Sequence, residues 1–291
     1  MVGPPPSVPQ RPRQGTSKYC CARYHVVWHA ATNGRPSTLA VADLGPDGTV
    51  RYEFYLTGTA SAALDYAVLT AALPHGVTAV HAGTLSLVME PIASAIERLI
   101  TDGLPPDALV MVDPNCRPAA IGDRDAYLDR FERILHRADV VKVSMEDLDY
   151  LCPGVPAEVA ATTLLGDRPA LVLVTDGPRP ARAFLSGGFG GAGGEVSVEV
   201  PRVEVVDTIG AGDAFGGGFL AWWSGAGLGR KELSSAEPVA AAFRAAAEVS
   251  ALTCTRAAFI CCTPVDMWPM TRAMTMPVVV PYRSPLSGVL R

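Results

Sequence analysis

The chain has no excess of basic residues. Its 24 lysines and arginines stand against 29 aspartates and glutamates, a formal net charge of −5, which argues against a nucleic-acid partner because phosphate binding calls for a basic face. No uninterrupted apolar run approaches the roughly 18 residues of a membrane span. The Pro-rich N-terminal stretch also lacks the apolar centre of a secretory signal, so a cytoplasmic protein without a membrane partner is expected. The seven cysteines are odd in number and have no framework spacing, which speaks against a disulfide scaffold and for reduced thiols. Cys20 and Cys21 ahead of His25 and His29 offer a His-x3-His spacing. Adjacent cysteines replace poorly the separated pair of a zinc site, so no metal is expected there. Charged residues are only 18% against 49% hydrophobic, and 291 residues suffice for one large α/β domain with a sizeable core.

Residues 1–32 read as dissimilar and unpacked, since Pro4, Pro5, Pro6, Pro9 and Pro12 favour an extended segment. From Ser37 the pattern becomes regular. Strand-like runs over 38–44 and 49–56 flank Gly45-Pro46-Asp47-Gly48, which predicts a β-hairpin with aromatics on both faces. Apolar runs at 78–82, 108–112, 140–143 and 170–175 then alternate with helical periods at 90–102, 123–136 and 157–165. Continuous apolar strands between helices imply a mostly parallel, doubly wound sheet covered on both faces. Ligands of such sheets bind at the carboxyl ends of the strands, where Asp113, Asn115, Arg117, Ser144, Asp147, Thr175 and Gly177 fall. Singly, each is more often an ordinary structural residue such as a helix cap than a functional one; their convergence on one edge is what points to a site. Runs at 181–185 and 195–200 are expected to be antiparallel strands flanking a mobile glycine-rich loop, 237–252 a helix, and 257–291 an irregular tail.

The most informative stretch is Asp207-Thr208-Ile209-Gly210-Ala211-Gly212-Asp213-Ala214-Phe215, which reads as strand, tight turn and helix start. A helix N-terminus offers unpaired amides and the positive end of the dipole, so an anion would sit against Gly210, Ala211 and Gly212. A carboxylate there weakens anion binding unless it has another task, such as taking a proton from a substrate hydroxyl. The plainer reading makes Asp213 an N-cap and the glycines packing residues.

This string, followed by Gly217-Gly218-Phe219, resembles the C-terminal signature of the ribokinase-like (PfkB) carbohydrate kinases. The resemblance implies that Asp213 is the catalytic base and that the Gly210, Ala211 and Gly212 backbone is the anion hole. Asp113-x-Asn115-x-Arg117 resembles the fructokinase branch, as does Tyr52-x-Phe54-Tyr55 before Gly58-Thr59-Ala60. By that similarity Asn115 and Arg117 contact the sugar or the transferred phosphate, and Phe54 and Tyr55 close over the sugar from a small β lid at about 37–58. ATP would lie along Thr175, Gly177 and Thr208, and no GxxxxGK[ST] phosphate loop occurs. The family's Asn-x-x-Glu motif, which organises Mg²⁺ through water, is here Ser144-Met145-Glu146-Asp147, with Asp147 in the indirect metal role.

The kinase domain is expected over 33–256, and the family's N-terminal sugar-binding region with its Gly-Gly motif has no counterpart ahead of the lid. Residues 1–32 and 257–291 are accordingly expected not to be family sequence, as a misplaced start or shifted frame would produce. The activity implied is ATP-dependent phosphorylation of a sugar hydroxyl, with a homodimer through the lid implied in turn. Alternatives are a kinase for another sugar acid or a nucleoside, and a non-catalytic nucleotide-binding remnant.

Overall fold

The computed structural model describes residues 35–36, 38–44, 50–166, 169–187, 193–256 and 278–281. Segment 1–32 with its Cys20, Cys21, His25 and His29, the hairpin turn, the centre of the glycine-rich loop and most of 257–291 lie outside the described residues.

The predicted hairpin forms. β1 (Leu39–Leu44) and β2 (Val50–Tyr55) pair antiparallel as a two-stranded sheet of their own, with Leu39 opposite Tyr55. The chain continues through α1 (Tyr66–Ala72), β3 (Val77–Gly83), α2 (Ile92–Arg98), β4 (Leu109–Asp113), α3 (Arg124–Leu135), β5 (Val140–Ser144), α4 (Met145–Leu151) and α5 (Ala157–Leu165). It then adds β6 (Leu171–Asp176), β7 (Arg179–Leu185), β8 (Gly194–Val198), α6 (Ala211–Gly225), α7 (Ala236–Cys254) and β9 (Val278–Pro281). Helix starts follow local chemistry: the Asp65 and Asp123 carboxylates accept from the amides of Val68 and Ala126, capping α1 and α3.

The main sheet runs β8-β7-β6-β5-β4-β3-β9, with β3 to β6 parallel and β7, β8 and β9 antiparallel at its sides. Within the stretch expected to be irregular, Val278–Pro281 is thus a strand. Its β-branched run suits a pleated surface, and pairing with β3 satisfies donors and acceptors that an open edge would leave bare.

Alternate residues of each central strand enter different cores, which explains the unbroken apolar runs. Val110, Val112, Val141, Val143, Val172 and Val174 pack on the side of α1 to α5. Leu109, Met111, Val140, Leu171 and Leu173 face the opposite way, under α6 and α7. That second layer is aromatic: Phe215 meets Phe243 edge-on at 5.3 Å, and Phe219 stacks on Trp223 at 5.4 Å. Burying each such side chain contributes about 1.5–3 kcal/mol, so a polar side chain on these faces needs a partner or a function. By strand alternation His81, Asp113 and Lys142 stand on the α6 side, under the N-terminal half of that helix.

Candidate active site

The parallel strands end in polar residues on one edge. Gly83 ends β3 opposite Asp113 of β4, and Ser144 ends β5 opposite Thr175 of β6. A Cβ on Gly83 would lie 1.8 Å from the Asp113 carbonyl oxygen, so only glycine admits this approach. Immediately beyond, Thr84 and Asn115 both sit in the left-handed region, at φ 53° and 38°, and Asn115 Nδ2 donates to Thr84 Oγ1 at 3.0 Å. Non-glycine residues held there store about 1–3 kcal/mol each and cluster at functional sites. Thr84 escaped the sequence reading; its signal was its place directly after a buried strand and a glycine.

Gly210, at φ 80°, is the N-cap of α6, so Asp213 is the third helical residue and not the cap. Ala211 N–H donates to the Thr208 carbonyl at 3.1 Å, whereas the amides of Gly210, Gly212 and Asp213 have no partner among the described residues. The turn is held from behind by α7. Val206 and Asp207 amides donate to the Cys254 carbonyl at 2.8 and 3.2 Å, and Ser250 Oγ donates to the Ala211 carbonyl at 2.9 Å. Asp213 is open to solvent on one side and walled by protein on the other. That burial, aided by Asp113, raises its carboxyl above the usual range, while Lys142 and Arg117 oppose the rise.

Beneath Gly212 lies the feature that sequence reasoning missed. Lys142 Nζ donates to Asp113 Oδ2 at 2.8 Å, the two residues being 4% and 2% exposed. A Cβ on Gly212 would come within 3.0 Å of Lys142 Nζ, and one on Gly216 within 3.2 Å of His81 Cε1. The two glycines, one helical turn apart, leave the room that these side chains fill. Asp113 Oδ1 and His81 Nε2 are sealed from solvent without a hydrogen-bond partner, a cost of about 1–3 kcal/mol for each such group. Burial works against the Lys142 ammonium, but Asp113, Asp147 and Asp213 together outweigh it and keep its pKa raised. Burial lowers the His81 pKa, so its imidazole is neutral. The available signal was a lone lysine inside Val140-Val141-Lys142-Val143, since a charge in a buried strand must be paired.

The remaining predicted residues divide. Arg117 is half-buried, donates to the Cys116 carbonyl at 3.0 Å, and acts electrostatically on Asp213. Thr175 lies at the end of β6, Gly177 in the following turn at φ 56°, and Thr208 is exposed just ahead of the Gly210 turn. Phe54 packs against the core, while Tyr55 is 56% exposed with its hydroxyl on Glu53.

Asp147 does not fit a metal ligand. It is 2% exposed, its Oδ1 accepts from the Cys116 amide at 2.6 Å, and its Oδ2 accepts from the Ser144 amide and hydroxyl at 2.8 and 2.9 Å. It closes a capping box on α4 and ties the loop after β4 to β5. Among the described residues no group of His, Cys, Asp or Glu side chains is placed to hold a metal ion. A cavity of about 200 Å³ lined by residues including Met145, Val174, Asp176 and Phe184 contains none of the predicted site residues.

The pfkB family carbohydrate kinase model matches residues 27–266. The chain belongs to the pfkB family of carbohydrate kinases. The match begins and ends a few residues outside 33–256. Among curated pfkB-type relatives, a fructokinase of Rhizobium leguminosarum bv. trifolii is 34% identical over 194 residues, covering 66% of this chain and 56% of that one. The chain thus spans about half the length of the curated relatives it matches. A crystal structure of a fructokinase with bound ATP from Xylella fastidiosa superposes with a TM-score of 0.65 at 29% identity, covering 78% of this chain and 70% of that one. A fructokinase from Vibrio cholerae O395 in a fructose, ADP and calcium ion bound form gives 0.60 at 25% identity, with 75% and 67% covered. No described helix is long and apolar enough to cross a membrane.

Proposed function

We propose that the chain transfers the γ-phosphoryl group of ATP to a hydroxyl of a sugar, with fructose as the first acceptor to test, in the cytoplasm. The observation that carries this reading is the placement of Asp213. A carboxylate open to solvent stands beside three unpaired amides at the start of α6, so a proton acceptor and an anion cradle share one turn. Asp213 takes the proton of the attacking hydroxyl. The Gly210, Gly212 and Asp213 amides hold the negative charge of the phosphoryl group in transit, a preorganised role that needs no side chain. In its present geometry the Ala211 amide is turned back to Thr208 and contributes only if that bond opens.

Arg117 contributes a planar charged donor fork beside the base. Asn115, fixed to Thr84, positions the sugar, and Thr175, Gly177 and Thr208 line the ATP side. The kinase unit is 33–256 with the β1–β2 hairpin as its lid, and a homodimer through that lid belongs to the same reading. Mg²⁺ would be held chiefly by the ATP phosphates and water, the usual mode for that ion, since Asp147 is buried and already hydrogen-bonded at both oxygens.

The test is ADP release by the purified chain with fructose, ribose, 2-keto-3-deoxygluconate and adenosine, against the Asp213→Ala variant. Turnover dependent on an acceptor and abolished by the substitution is the expected result. ATP binding by folded protein without turnover on any acceptor would overturn it in favour of a nucleotide-binding chain without catalysis.

A further inference from the structure

Two carboxylates that act on each other electrostatically cannot easily both be ionised, and Asp113 is the first charged group that raises the Asp213 carboxyl. A base must be ionised to take a proton, so Asp113 is a liability unless something offsets it. The only cation in the buried layer between the sheet and the start of α6, among the described residues, is Lys142. It lies 2.8 Å from Asp113 Oδ2 and directly under Gly212, the residue before Asp213. We infer that Lys142 is a positioning residue for the base: paired to Asp113 beneath Gly212, it is the counter-charge that offsets Asp113 and keeps Asp213 able to take a proton.

Resting on the reading of Asp213 as base, the inference also gives Gly212 and Asp113 their reasons. Gly212 lacks a side chain because the ammonium fills that space. Asp113 retains Lys142 in the charged state against its burial, which a lysine inside a sheet needs. The groups facing Asp213 are few and come from three elements: Asp113 at the end of β4, Lys142 on β5 and Arg117 on the loop after β4. His81, on β3, lies in the same layer and is neutral. α7 presents to the turn the Ser250 hydroxyl, on the Ala211 carbonyl, and the Cys254 carbonyl, on the Val206 and Asp207 amides.

The experiment follows the Asp113 and Asp213 carboxyl carbons by NMR in the full chain labelled with ¹³C-aspartate, with Asp113→Asn and Asp213→Asn assigning the signals. No substrate is present, so the result is independent of turnover. An inactive chain sinks the kinase reading, whereas unmoved titrations sink this one. In the wild-type chain the Asp213 carboxyl is expected to be ionised at pH 7; finding it still protonated there overturns the inference without any variant. Lys142→Met should raise the Asp213 midpoint by about one unit. Asp113→Asn should lower the Asp213 midpoint, because Lys142 then has one carboxylate fewer to neutralise. A purely structural lysine predicts no such opposite movements. Should Lys142→Met not fold, an Asp213 midpoint in Asp113→Asn that stays or rises overturns the proposal by itself.

Discussion

Replacing Asp147 by alanine separates two views of this residue, as a metal organiser and as the knot between two loops. Its carboxylate receives the Cys116 amide at 2.6 Å and the Ser144 amide and hydroxyl at 2.8 and 2.9 Å, while the Ser144 hydroxyl caps the Asp147 amide at 3.1 Å. Alanine orphans the buried Cys116 amide, at a cost of about 1–3 kcal/mol. It also leaves the half-buried Ser144 amide to whatever water can reach it and removes half of a capping box, about 1 kcal/mol more. Neighbouring terms do not simply add, so the expected loss is about 3 kcal/mol, against the 5–15 kcal/mol of an ordinary domain. Urea unfolding followed by tryptophan emission reports it, because Trp223 is buried in the layer between α6 and the sheet. Asp147→Asn keeps one acceptor oxygen and should lose roughly half as much. A loss below about 1 kcal/mol for alanine, accompanied by a changed magnesium requirement, would refute the structural assignment.

Asp213→Asn should cut sugar-dependent ADP release by about 10²–10⁴-fold, measured by coupled assay with folded protein. The same substitution should make the chain more stable at neutral pH. The folded state raises the Asp213 pKa and so binds its proton more tightly than the unfolded chain; stability falls as pH rises through that range. Asparagine escapes this, and thermal melts should show its advantage shrinking as the pH is lowered. Gly212→Ala puts a Cβ 3.0 Å from Lys142 Nζ and should cost about 1–3 kcal/mol by urea titration. Gly217→Ala, with no atom within 4 Å of its Cβ, should instead stabilise by up to about 1 kcal/mol. Gly83→Ala would drive a Cβ to 1.8 Å from the Asp113 carbonyl. It should yield little folded protein in a solubility assay, and normal expression with an unchanged melt would contradict the described β3–β4 approach.

Much of the architecture was legible because burial leaves periodic marks. β4, β5 and β6 are covered on both faces, so each reads as an unbroken apolar run. The α3 boundaries follow from Asp123 as cap and from Tyr127, Phe131 and Ile134 on one face. The α6 turn was legible for a different reason: a backbone at φ 80° and amides that must stay bare restrict the residue types allowed, and that restriction is written locally. Asp147 illustrates the opposite case. Its place in the motif suggested an indirect metal role, whereas its three donors come from Cys116 and Ser144, one of them 31 residues away. β9 was hidden because four residues carry too little period to stand out from a Pro-rich surrounding.

By itself, then, the sequence determined the pfkB-type order of strands and helices, the Gly210–Asp213 turn and the family. These depend on hydrophobic period and backbone conformation, which are properties of neighbouring residues. Only the tertiary structure decided that Lys142, Asp113 and His81 share a buried layer under α6, and that both Asp147 oxygens accept from Cys116 and Ser144. Charge pairing inside a sheet is a matter of which strands lie side by side, and Asp113 and Lys142 meet at 2.8 Å across 29 residues of chain.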